Sequence, residues 1–114
     1  MGYMTDFSVE AGPFKTEEDA EFFEFKALKT IGYRFEASVS MGLGNHTVSF
    51  ELDDCKWYSW DADLKKLSMT FPSITIDVEG VGEEQGDHWR ARFRNGEDER
   101  VEAIITFPDF EKLV

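Results

Sequence analysis

The sequence predicts an α+β domain in which two helices cover one face of an antiparallel sheet. Three observations carry this expectation. Apolar and polar residues alternate with period two in 33–40, 46–57 and 88–94. Apolar residues recur at helical spacing in 16–31 and 59–72. Gly, Asn and Pro fall between these stretches. The 114 residues suit a single domain, 1–114, and a hydrophobic content of 41% with eleven Phe supplies its core.

Taken in order, Tyr3 to Val9 reads as a first strand, broken by Ala11-Gly12-Pro13. Thr16 is a helix N-cap, and Glu17, Glu18 and Asp19 sit where the helix dipole favours negative charge. Ala20, Phe23, Ala27, Leu28 and Ile31 form the inward stripe, widened by Phe22 and Phe25, and Gly32 ends the helix. Tyr33 to Ser40 and His46 to Trp57 form a hairpin across the MGLGN turn, residues 41–45. Ser59 or Asp61 caps a second helix whose inner stripe is Leu64, Leu67 and Phe71, with Pro72 at its end. Ile74, Ile76 and Val78 open a fourth strand, and His88 to Arg94 is a fifth. Asn95-Gly96 is a hairpin turn, and Arg100 to Phe107 is the last strand. The order is β-α-β-β-α-β followed by two further strands; its first six elements are the ferredoxin-like arrangement.

Charge is the outstanding feature of the composition. Twenty-four acids against twelve bases give a net charge of −12. Direct binding to nucleic acid or to an anionic membrane needs a basic footprint, so neither is expected; a basic partner is. No apolar run approaches the roughly 20 residues of a membrane span, and MGYMTDFS lacks the pattern of a signal peptide. The lone Cys55 points to a reducing, cytoplasmic setting.

Catalytic and metal signals are weak. His46 and His88 lie on different strands and not at metal-ligand spacing from Cys55. Asp61-x-Asp63 starts like a calcium loop, but Lys65 stands at the next ligand position. No cofactor, metal or catalytic residue is therefore expected. Arg90, Arg92 and Arg94 share one sheet face, with Asp77, Glu79, Arg100 and Glu102 expected beside them in cross-strand ion pairs. Trp57, Tyr58 and Trp60 are expected to pack the core and the start of the second helix; the alternative is an aromatic anchor for a partner.

Residues 57–97, with Leu64, Leu67, Ser68, Phe71 and Pro72 leading into SITI and a later strand ending in NGE, resemble the YubB-type ferredoxin-like domain of plasmid and phage proteins. The resemblance covers a little over a third of the chain and brings no catalytic residues. It implies a mobile-element source, a host bacterial cytoplasm and an anti-defence role, including that of anti-CRISPR proteins.

The acids cluster as Glu17, Glu18, Asp19, Glu21 and Glu24; Asp53 and Asp54 with Asp61 and Asp63; Glu83, Glu84 and Asp87; and Glu97, Asp98 and Glu99. The first cluster places five acids in eight residues. At about 1.5 Å rise per residue it approaches the linear charge density of duplex DNA, about one charge per 1.7 Å. Glu17, Glu21 and Glu24 lie on one helical face with no interleaved Lys to relieve their repulsion. Two functions are expected as alternatives. One is a non-enzymatic, DNA-mimicking inhibitor of a basic nucleic-acid-binding complex, a CRISPR effector above all. The other is an acidic interaction module without mimicry, binding through the aromatic cluster or a sheet edge.

Overall fold

In the structure, a computed structural model describing residues 3–42, 44–84 and 86–103, eight elements follow one another: β1 (Thr5–Phe14), α1 (Glu17–Ile31), β2 (Ala37–Gly42), β3 (Asn45–Cys55), α2 (Trp60–Thr70), β4 (Thr75–Gly82), β5 (His88–Arg94) and β6 (Glu97–Glu102). The strands form one sheet in the order β2-β3-β1-β4-β5-β6, antiparallel at every pairing. Both helices lie on one face, α1 over β1, β2 and β3 and α2 over β4 and β5. The architecture is thus α+β with two helices on a six-stranded antiparallel sheet.

Local chemistry sets the element ends. Thr16 Oγ1 accepts the Asp19 amide at 3.1 Å and starts α1. Gly32 closes it in the left-handed region (φ 80°), its amide donating to the Leu28 carbonyl. Asn95 and Gly96 both take positive φ, the requirement of a two-residue hairpin whose turn matches the strand twist. Ser68, fully buried in α2, donates to the Lys65 carbonyl and accepts the Gly96 amide at 2.9 Å. That hydroxyl fixes the β5–β6 turn to the helix layer.

Several boundaries differ from expectation. β1 does not break at Ala11-Gly12-Pro13 but runs to Phe14; the Gly12-Pro13 bond is cis, and the register against β3 shifts between Ala11 and Phe14. Proline is tolerated at such an irregularity because no ladder bond is asked of it there. Tyr33 and Phe35 precede β2 rather than belong to it. Phe35 stacks on Phe50 with centroids 4.0 Å apart, and the Tyr33 hydroxyl donates to the Lys56 carbonyl. Ser59 occupies the N-cap of α2 without a capping bond from its side chain. β6 starts at Glu97, because the tight turn pairs Arg94 with Glu97 at once; the rest of the expected last strand, 104–107, lies outside the described residues.

The inward stripe of α1 is narrower than its sequence suggests. Ala20, Phe23, Ala27 and Ile31 are buried, whereas Phe22, Phe25 and Leu28 are exposed. The small Ala20 and Ala27 let the helix sit close to the sheet, so only a narrow arc is covered. Phe22 leans on Phe71 at the end of α2 (centroids 5.6 Å), and Lys29 lies over the Phe25 ring.

Gly80 marks a tight point of the sheet. It pairs with Trp89, and a Cβ there would stand 2.1 Å from the indole ring. That ring cannot retreat, because Trp60 stacks on it at 4.2 Å. Gly80→Ala should therefore cost about 1–3 kcal/mol, the usual range for overpacking. Thermal unfolding monitored by circular dichroism measures it; an unchanged midpoint would show that the Trp60–Trp89 stack is free to shift.

Candidate functional site: an acidic trough and helix stripe

Alternation puts Phe7, Val9, Val48, Phe50, Ile76, Val78, Ala91 and Phe93 under the helices. The polar partners of these residues therefore occupy the sheet's other face, which neither α1 nor α2 covers. Register orders them into rows. One row runs Ser38, Ser49, Glu10, Asp77, Arg92, Glu99; the next runs Glu51, Ser8, Glu79, Arg90, Val101. The twisted face forms a shallow trough of about 920 Å³ in which seven carboxylates, Glu36 and Asp53 among them, face two guanidiniums.

The two Arg do not neutralise the trough evenly. Arg92 Nε binds Asp77 at 2.6 Å, and this bond raises the guanidinium pKa. Arg90 Nε lies 3.3 Å from Glu79, whose other oxygen is 2.7 Å from His88 Nε2. The His88 contact, assisted by Arg90 and opposed by partial burial, holds the Glu79 carboxyl below its usual range. Among the described residues, every ion pair lies on β4, β5, β6 or α2. Among those residues, Glu10, Glu36, Glu51 and Asp53 form no ion pair. Glu51 receives the Ser8 hydroxyl at 3.4 Å. Glu10 stands opposite Asp77 on the neighbouring strand, a like-charge placement that costs stability.

The Arg row is therefore ion-paired at Arg90 and Arg92, as expected, but Arg100 and Glu102 are not beside it. Register pairs Arg100 with Ala91 and Glu102 with Trp89, placing both on the helix side. There the Arg100 guanidinium lies 4.7 Å from the centre of the Trp60 ring and 3.8 Å from Asp61.

The acids singled out from sequence are dispersed. Glu17, Glu18, Asp19 and Glu21 are exposed on α1 with Glu24 half-buried, all on the helix layer and away from the trough. Asp53 lines the trough, while the Asp54 amide is held by Asp6 Oδ1 at 2.7 Å. Asp63 is engaged inside the fold, accepting Trp57 Nε1 at 2.6 Å and the Ser59 hydroxyl at 2.9 Å. Glu83 accepts the Met4 amide, the Glu84 amide donates to the Tyr3 hydroxyl, and that hydroxyl donates to Asp87. The Asp87 bond raises the Tyr3 pKa. This turn is thus tied to the start of β1. On β6, Glu97 and Glu99 share the trough side with Arg94 and Arg92, and Asp98 turns to the other.

Glu10, Glu36 and Glu51 were absent from the sequence-derived clusters. Each stands alone between apolar neighbours, so only strand register reveals that they converge; their polar phase in the alternation was the available signal. Of the aromatic cluster, Trp57 is buried, Trp60 is stacked on Trp89, and Tyr58 is exposed.

No protein-family model, curated protein or solved structure matches the chain.

Cys55 ends β3, and burial pushes its thiol pKa up. A thiolate-requiring reagent at neutral pH should modify it on the order of tenfold or more slowly than in the urea-unfolded chain. Equal rates in a stopped-flow thiol assay would contradict its burial. No helix is long and apolar enough to cross a membrane, among the described residues; nor does any group of three His, Cys, Asp or Glu there stand where it could hold a metal ion.

Proposed function

We propose that this chain is a non-enzymatic acidic inhibitor that occupies the basic, nucleic-acid-binding surface of a partner protein. The observation that carries the reading is the uneven pairing of charge. Among the described residues, the carboxylates of β1 and β3, with Glu36, face solvent without a cation, while those of β4 are matched by Arg and His of β5. Lining a concave, low-dielectric wall with one sign of charge focuses the field and favours encounter with a basic surface. The helix stripe Glu17, Glu21, Glu24 adds a second line of charge on the other layer.

A ferredoxin-like assignment of the fold belongs to the same proposal. Its support is the order β4-β1-β3-β2 with β1 antiparallel to both neighbours and one helix in each crossover. The YubB-type resemblance carries the choice of partner: a phage or mobile-element protein acting on a CRISPR effector, whose Lys and Arg grip phosphates. The alternative, an interaction module without mimicry, draws support from the uncharged edge of β2. In its aromatic version Trp57 is enclosed in the core, which leaves the exposed Tyr58 and the half-buried Trp60 as the anchor.

The deciding experiment is capture from a panel of purified CRISPR effector complexes and unrelated basic DNA-binding proteins, at low and high salt. Salt-sensitive capture that bound DNA prevents is the expected result. Failure to retain any of them at low salt ends the inhibitor reading.

A further inference from the structure

The two edges of the sheet are chemically opposite. β6, EDERVE, carries a charge at five of its six positions, the usual protection of an edge against pairing. β2, ASVSMG, carries none. β2 hydrogen-bonds to β3 on one side, and among the described residues β3 alone is its neighbour in the sheet, so its outer N–H and C=O groups face outward. Val39 and Met41 are 39% and 72% exposed on the helix side of this edge, and Ser38 and Ser40 are exposed on the trough side. No proline, inward charge or covering loop blunts it among the described residues.

Acids flank this edge on both faces. Phe22 rests on Phe71 and so fixes the flank of α1 that looks towards α2. Helical periodicity then turns Glu17, Glu21 and Glu24 to the opposite flank, on the β2 side. Lys26 and Lys29 lie over the Phe22 and Phe25 rings and not within that stripe. On the trough side, Glu36 immediately precedes β2 and Glu51 follows its partner Phe50 in β3.

We propose that β2 accepts an extended, basic segment of a protein partner as a seventh strand. Backbone hydrogen bonds of the added strand would complete the open edge, and Lys or Arg at alternate positions would reach the α1 stripe on one face and Glu36 and Glu51 on the other. Charge complementarity selects this occupant. A second copy would bring a net charge of −12 against −12 and set one Glu stripe near another. The inference rests on the reading that the partner is basic and specifies how it is held.

The test uses the full chain and a fluorescent eight-residue peptide of alternating Lys and Val. Its controls are the same peptide N-methylated at alternate residues and an alternating Glu-Val peptide. Hydrogen exchange should show at least tenfold slower exchange of the outward β2 amides with the Lys-Val peptide alone. Val39→Lys, and separately Ser40→Lys should the first fail to fold, should weaken its binding at least tenfold with an unchanged circular dichroism spectrum. Equal binding of the N-methylated peptide without β2 protection would overturn the proposal in favour of simple adsorption to acids. Equal protection by the Glu-Val peptide would overturn the basic partner. Concentration-dependent protection of β2 in the chain alone would assign the edge to a second copy. Protection by the Lys-Val peptide in a chain that captures no nucleic-acid-binding protein would uphold the added strand and remove the inhibitor function.

Discussion

Trp57→Ala should destabilise the fold by about 3–5 kcal/mol, the usual cost of emptying an aromatic site in a core. Against a typical total of about 5–15 kcal/mol, this brings the chain near the unfolding threshold. Trp57 is 2% exposed, and its ring meets Phe7 of β1 edge-on with centroids 5.1 Å apart. Its indole N–H donates to Asp63, so one side chain joins the end of β3, the first turn of α2 and the central strand. Trp57→Phe separates the two contributions. It retains ring packing but removes the indole donor from Asp63, which keeps the Ser59 hydroxyl. A smaller loss of about 1–3 kcal/mol is expected there. Urea unfolding with an unchanged m-value is the measurement. A cost below about 1 kcal/mol for Trp57→Ala would mean that the site collapses around the missing ring, unlike other buried aromatics.

How much of this was legible in the sequence depended on how local the determinant is. Thr16, Gly32 and Asn95-Gly96 act through their own backbone and their near neighbours, and each lies where it was expected. The alternation of β3 and β5 also holds, because one face of each is buried against a helix. Pro13 misled for the converse reason. Its effect depends on which strand needs its missing N–H, and the irregular register with β3 removes that need. The helix stripe misled because the burial of Phe22 and Phe25 depends on how closely α1 approaches the sheet. The trough was least legible of all. Glu10, Glu51 and Asp77 lie far apart in sequence and become neighbours only through the pairing of β1 with both β3 and β4. A cluster read along the chain finds runs of acids, and several members of those runs, such as Glu83, Asp87 and Asp63, proved to be holding the fold together.

Reversing Glu10 and Glu51 together to Lys should reduce affinity for the proposed basic partner about a hundredfold or more while leaving stability unchanged or higher. The two expectations have separate causes. In the free chain, Glu10→Lys replaces a like-charge neighbour of Asp77 with an opposite one, a change worth about 0.2–1 kcal/mol in favour of folding. Glu51→Lys gives up only a 3.4 Å contact with the Ser8 hydroxyl. In the complex, each substitution sets a positive charge against a basic surface, and desolvated charge contacts typically carry about 2–5 kcal/mol. The same reversal at Glu17, Glu21 and Glu24 should act more weakly. Those carboxylates stand on a convex helix layer where water screens them, whereas the trough wall concentrates its field. Binding should also lose salt dependence in step with the number of contacts removed, since each neutralised charge contributes its own share of counterion release. Titrations across a salt series, run beside urea unfolding of the same variants, separate these effects. A Glu10→Lys, Glu51→Lys chain that binds as well as the wild type, with the same salt slope, would remove the trough from the interface and leave the helix stripe as the contact surface.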